Sequence, residues 1–113
     1  MTLQEDLKQF TGTEHWHPFW LGTMHYTDGV KHFANTAGAY WFLDIVGTEV
    51  AELQADNPFI SVELTVKDMK ANIKATDGNG NTLWTRYIEF TDCPDGVYSF
   101  YLIDKVFLLT SEY

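Results

Sequence analysis

Four histidines fall in the N-terminal third of the chain: His15, His17, His25 and His32. His15 and His17 flank Trp16, and on an extended strand both imidazoles point to one face. Such a His-x-His pair offers two nitrogens to a metal such as zinc or nickel, so His15 and His17 are the candidate metal ligands, with no third ligand fixed by spacing. His25 and His32 face each other only if Thr27 to Val30 is a tight hairpin turn; a helix beginning at Val30 separates them. The plainer reading of all four is imidazoles solvated or hydrogen-bonded beside an aromatic cluster. Cys93 is the single cysteine, which excludes an intramolecular disulfide and a zinc site built from several thiolates. A nucleophilic thiol needs a base, and Cys93 stands before Pro94 in a turn, where spacing supplies none. Asp77-x-Asn79-x-Asn81 opens like a calcium loop, but the glycine and bidentate glutamate such a loop needs further on are here Thr82 and Ile88. A hairpin turn is the expectation instead. Gly29, Gly78 and Gly80 lack the context of a phosphate-binding loop, and no acid/base pair stands out among the 16 acids. The reading is a non-enzymatic chain with no catalytic residue and no cofactor.

The aromatic residues carry a different chemistry. They make up 16% of the chain, and Phe10, Trp16, Phe19, Trp20, Tyr26, Phe33, Tyr40, Trp41 and Phe42 crowd its first part. Most belong to the core. Between Tyr40 and Val46, however, the sequence is apolar nearly all round a helix, and a helix on one side of a sheet buries only a stripe. The surplus points to a second covering layer or to an interaction surface. Trp16, Phe19, Trp20, Tyr40 and Trp41 are the candidate binding residues, for a protein partner or for self-association into a homo-oligomer. A flat ligand or exposed base could stack there too, but little positive charge lies nearby.

Charge narrows the partners. Seven basic residues against 16 acids give a net charge of −9, which argues against direct binding to nucleic-acid phosphates. The acids are dispersed, as on an ordinary soluble surface. An alternative is an acidic mimic of nucleic acid that occupies the basic groove of a host protein. The composition, 45% hydrophobic and rich in aromatics, excludes a disordered acidic tail.

Positioning these residues is the work of one domain: 113 residues is a single-domain length, 1–113. The first residues, Met1 to Asp6, carry no basic or long apolar region, so no secretory signal is expected. The longest apolar run, Ala39 to Leu43, ends at Asp44, far short of the ~20 residues of a membrane span. A soluble cytoplasmic protein without membrane contact is the expectation, and the lone cysteine fits a reducing compartment.

Thr2 and Glu5 read as a capping box, with Leu3, Leu7 and Phe10 on one face of a short N-terminal helix that stops around Gly12. Phe19 to Tyr26 is strand-like, and Pro18 belongs at a strand start or on an edge. Val30, Phe33, Ala34, Ala37, Tyr40, Trp41 and Ile45, continued by Val50 and Leu53, have helical spacing. They predict one long helix ending near Gln54 and starting at Val30, capped by Asp28, or at Thr36, capped by Asn35. From Phe59 the period becomes two. Strands are expected over Phe59 to Val66, Met69 to Thr76, Leu83 to Thr91, Val97 to Ile103 and Val106 to Leu109, joined by turns at Lys67-Asp68, Asp77 to Asn81, Cys93 to Gly96 and Asp104-Lys105. Hairpin links make such a sheet antiparallel. The fold class is therefore α+β: an antiparallel meander of four to six strands, one long helix packed on one face, and a short N-terminal helix.

Phe10-Thr11-Gly12-Thr13, Tyr26-Thr27-Asp28-Gly29-Val30 and Gly38-Ala39-Tyr40-Trp41 with Asp44 carry a resemblance. Thr76-Asp77-Gly78-Asn79, Ile88 with Thr91-Asp92, and the terminal Ser111-Glu112-Tyr113 continue it. Through these the chain resembles a family of small proteins of unknown function encoded mainly in bacteria, phages, plasmids and other mobile elements. The resemblance assigns no activity to any position; a protein-binding or regulatory role is read instead from the surplus aromatic surface and the missing catalytic motifs. Where that family commonly has phenylalanine, this chain has Cys93, and where it has proline, Thr110; the first departure speaks against chemistry at Cys93.

Overall fold

The computed structural model describes residues 3–10 and 15–113. The expected cap at Thr2 and helix stop at Gly12 lie outside these residues. The period-two segments become the strands they predict. In β3 (Phe59–Lys67), Ile60, Val62, Leu64 and Val66 are buried, while Glu63, Thr65 and Lys67 face solvent. β4 (Lys70–Thr76) buries Ala71, Ile73 and Ala75, and β6 (Gly96–Ile103) buries Tyr98, Phe100 and Leu102. β5 (Thr82–Ile88) and β7 (Val106–Leu109) complete the antiparallel part. The register keeps one apolar face: Leu64 pairs with Ile73 on one side and Tyr98 on the other. Two connections are two-residue turns with both central residues at positive φ, Asp68 and Met69 (53° and 66°) and Asp104 and Lys105 (49° and 64°). That backbone hand matches the twist of the flanking strands.

Two short N-terminal strands raise the total to seven, above the four to six expected: β1 (Trp16–Pro18) and β2 (His25–Thr27). The strand-like stretch Phe19 to Tyr26 is mostly the connection between them. The sheet order is β1-β2-β7-β6-β3-β4-β5. β2 joins β7 in parallel, His25 beside Val106 and Tyr26 beside Phe107. So the sheet is mixed, antiparallel except at this junction. Pro18 sits on the edge strand, where its missing N–H breaks no ladder.

The predicted single helix is four pieces. It begins neither at Val30 nor at Thr36: α2 (Asp28–Ala37) is capped by Thr27, whose hydroxyl accepts from the Val30 amide at 3.4 Å. It ends at Gly38, whose φ of 63° is left-handed. α3 (Tyr40–Ile45) follows, then a π-helical turn (Val46–Val50) and a 3-10 turn (Ala51–Ala55). The periodicity survives the breaks because each piece still lays an apolar side on the sheet. α1 (Leu3–Leu7) is shorter than expected and packs beside α2. At the centre, Phe33 of α2 and Phe42 of α3 meet Phe100 and Phe107 of the sheet, with ring centroids 5.0 to 6.1 Å apart. The opposite face of the sheet is open to solvent at Thr65, Lys70, Asn72, Lys74, Thr85, Tyr87, Val97 and Ser99.

Candidate functional site

Phe19 to Gly22 form a tight turn between β1 and β2. The Gly22 amide donates to the Phe19 carbonyl at 2.8 Å, and Gly22 has a φ of 75°. Such a turn places its two central residues at the corner, so Trp20 and Leu21 project into solvent, 73% and 48% exposed. Phe19 points the other way: it is buried against Gly47, where any Cβ would collide with its ring. The turn is thereby pinned to the helical layer. Trp20 is tied down as well, its indole N–H donating to Asp44 Oδ1 at 3.1 Å.

The π-helical turn lies beneath. Its irregular bonding frees carbonyls, and hydroxyls supply partners: Thr23 donates to the Gly47 carbonyl and Thr48 to the Asp44 carbonyl, each at 2.6 Å. Between this turn and Leu21 opens a cavity of about 420 Å³, lined by Leu21, Thr23, Thr48, Ala51, Glu52 and Lys105 among others. Gln54 holds its far wall. Its amide donates to the Pro58 and Leu102 carbonyls, and its carbonyl oxygen accepts from the Lys105 amide at 2.6 Å. The groove thus has apolar walls and one charge of each sign, Glu52 and Lys105.

The other candidate binding residues lie at different places. Trp16 is exposed on the β1 edge, Tyr40 is exposed and donates to Asn35 Oδ1 at 2.8 Å, and Trp41 is half-buried edge-on to Phe42. None of the five lines the groove: Trp20 precedes the lining residue Leu21, and Phe19 packs on the lining residue Gly47. Leu21, Thr48 and Lys105 were not singled out from sequence. Leu21 was legible as the residue between Trp20 and a turn glycine; Lys105 was not, because sheet closure brings it there.

His15 and His17 do turn to one side, toward Asp28 at the start of α2. His17 Nε2 is 2.7 Å from Asp28 Oδ1 and His15 Nδ1 is 3.4 Å from Oδ2. The His17 hydrogen bond, helped by His15 and opposed by partial desolvation, holds the Asp28 carboxyl below its ordinary value of 3.8. Among the described residues, no group of three His, Cys, Asp or Glu side chains is arranged to hold a metal ion. His32 lies against Phe10 and beside Thr36, on the helix and away from His25.

Asp77 accepts from the Asn79 and Asn81 amides and from the Asn81 side chain. Chiefly that side-chain bond lowers its carboxyl from 3.8, so the loop is a self-satisfied hairpin turn. Cys93 is buried, and desolvation pushes its thiol up to about 11. Tyr98 beside it, also desolvated, is pushed up to about 12 and donates to the Pro94 carbonyl. A thiol so protonated is a poor nucleophile.

Two distant motifs meet. Glu112 of the terminal Ser-Glu-Tyr is buried against Thr27-Asp28-Gly29. Its carboxylate accepts from the Thr27 hydroxyl at 2.6 Å, the Leu109 amide at 3.0 Å and the Gly29 amide at 3.3 Å. Gly29 permits this approach: a Cβ there would stand 2.6 Å from Glu112 Oε1 and Leu109 Cδ1. The contact is a latch between the α2 N-terminus and the chain end.

Among the described residues no helix is long and apolar enough to cross a membrane. No curated protein and no solved structure matches the chain. Its motifs and its whole length, residues 1–113, agree with one family, and the chain belongs to the Family of unknown function (DUF6876).

Proposed function

We propose that this protein is a non-enzymatic binding module that takes an apolar side chain of a partner protein into the groove between Trp20-Leu21 and the π-helical turn. The observation carrying this reading is an exposed leucine, Leu21, lining a preformed concavity of about 420 Å³, with the indole of its neighbour Trp20 held out in solvent at the same corner. Interfaces concentrate their binding energy in such aromatic anchors next to pockets, and 420 Å³ lies within the usual range for a site that encloses a ligand group. Trp20 is fixed by Asp44 and its turn by Phe19, so little ordering remains to be done on binding. Glu52 and Lys105 at the rim would select orientation more than strength.

The test compares the wild type with Leu21→Asp and Thr48→Arg, which put charge or bulk into the groove from exposed positions. With unfolding midpoints unchanged, each variant should lose the binding partner recovered by the wild type. Retention of the same partner by both variants contradicts the reading.

A further inference from the structure

The two edges of the sheet are built differently. β1 has three residues and carries Pro18, a blunted edge of the kind that resists pairing. β5 has seven, Thr82 to Ile88, with no proline, lysine or glycine, and among the described residues no strand lies beyond it. A register shift against β4 leaves Leu83 as a bulge, and the regular run Trp84 to Ile88 carries outer N–H and C=O groups that form an open template. Its single charge, Arg86, is already paired with Glu49 of the π-helical turn. On the adjoining strand Lys74 stands opposite Glu63 in the register. In a chain of net charge −9, two copies approaching at this edge meet locally balanced charge.

We propose that β5 is a dimerisation edge whose occupant is β5 of a second copy, paired antiparallel about a two-fold axis at Thr85. A two-fold perpendicular to the sheet keeps opposed residues on one face, so each register is set by its central residue. Centring on Arg86 would oppose two guanidinium groups, which is unfavourable. Centring on Thr85 places Arg86 across from Trp84 of the second copy, a cation–π neighbour, with no like charges opposed along the strand. The pairing doubles the seven-stranded sheet and puts both helical layers on one side. It also leaves β1 and β2, with their Trp20-Leu21 turns, at the two outer ends, so the dimer presents two grooves facing away from each other.

Sedimentation analysis of the wild type should give a dimer. Thr85→Lys adds a cation at the two-fold, beside Lys74 of each copy, and should give a folded monomer. A second pair of variants decides the register and serves if Thr85→Lys does not fold. Thr85→Cys should oxidise to a covalent dimer, because opposed residues bring their Cβ atoms within disulfide reach. Tyr87→Cys, four residues from its own copy across this register, should not. Cys93 is buried and contributes no background. A wild type that stays monomeric at millimolar concentration overturns the proposal. So does a folded Thr85→Lys that remains dimeric, or equal cross-linking of the two cysteine variants. None of these outcomes bears on the groove, which lies at the other end of the sheet.

Discussion

Glu112 shows how much one side chain can hold. A buried carboxylate with three donors ties the last residues to the start of α2, where the helix dipole also favours negative charge. Glu112→Ala strands those donors and should lower stability by about 3 kcal/mol; Glu112→Gln keeps one acceptor oxygen and should lose less. Chemical denaturation reads both, and an alanine variant as stable as the wild type would refute the latch. Asp28 gives a pH-dependent counterpart. Its folded value lies below the ordinary 3.8, chiefly through His17. The bond's contribution is therefore present above the unfolded value and lost as pH falls through the lower folded one. Carboxyl chemical shifts should titrate below 3.8 in the wild type and move upward in His17→Ala; an unmoved titration contradicts the assignment. The pairing of His15 and His17 on one side was legible from the x-spacing. Their partner Asp28 was not, because it depends on β1 folding back along β2.

Among the elements, the helical layer separates local from tertiary causes. Gly38 and Gly47 look alike in sequence, each an unfavourable residue within a helical pattern. Gly38 has a φ of 63° and open space around its Cβ position, so Gly38→Ala should lose about 1 kcal/mol from backbone strain alone. Gly47 faces the Phe19 ring, so Gly47→Ala should lose more and loosen the Trp20 turn. Thermal unfolding of the two variants checks the order; equal losses would mean that Phe19 is not held as described. The strands from Phe59 onward could be read directly, since alternation over so many residues fixes a face. The parallel joint of β2 with β7 could not: the partners are some 80 residues apart in sequence, and no local pattern encodes which edge a short strand finds. The break at Gly38 was partly legible as a left-handed cap signal, but helical spacing continuing across it concealed the stop.

Across the whole molecule, the net charge of −9 comes from 16 acids, and several of them serve local bonds. Asp28 meets imidazoles, Asp44 an indole, Glu49 a guanidinium, Asp77 its own turn and Glu112 the latch. What remains distinctive is the placement of exposed apolar groups at the Trp20-Leu21 corner, beside the groove. The aromatic surplus pointed to this end of the chain. The groove itself was hidden in the sequence, because its walls come from the β1–β2 turn, the π-helical turn, the 3-10 turn after it and the β6–β7 turn, which only the closed sheet assembles. The most direct measurement places a photo-reactive amino acid at Leu21 in the full chain within the producing cell, with the same group at Ser99, on the open sheet face and three strands from the β5 edge, as the comparison. A discrete adduct with a second polypeptide should form from Leu21, be absent from Ser99 and disappear when Thr48→Arg fills the groove. No adduct from Leu21 beyond that at Ser99, or one indifferent to Thr48→Arg, would contradict partner binding at this groove.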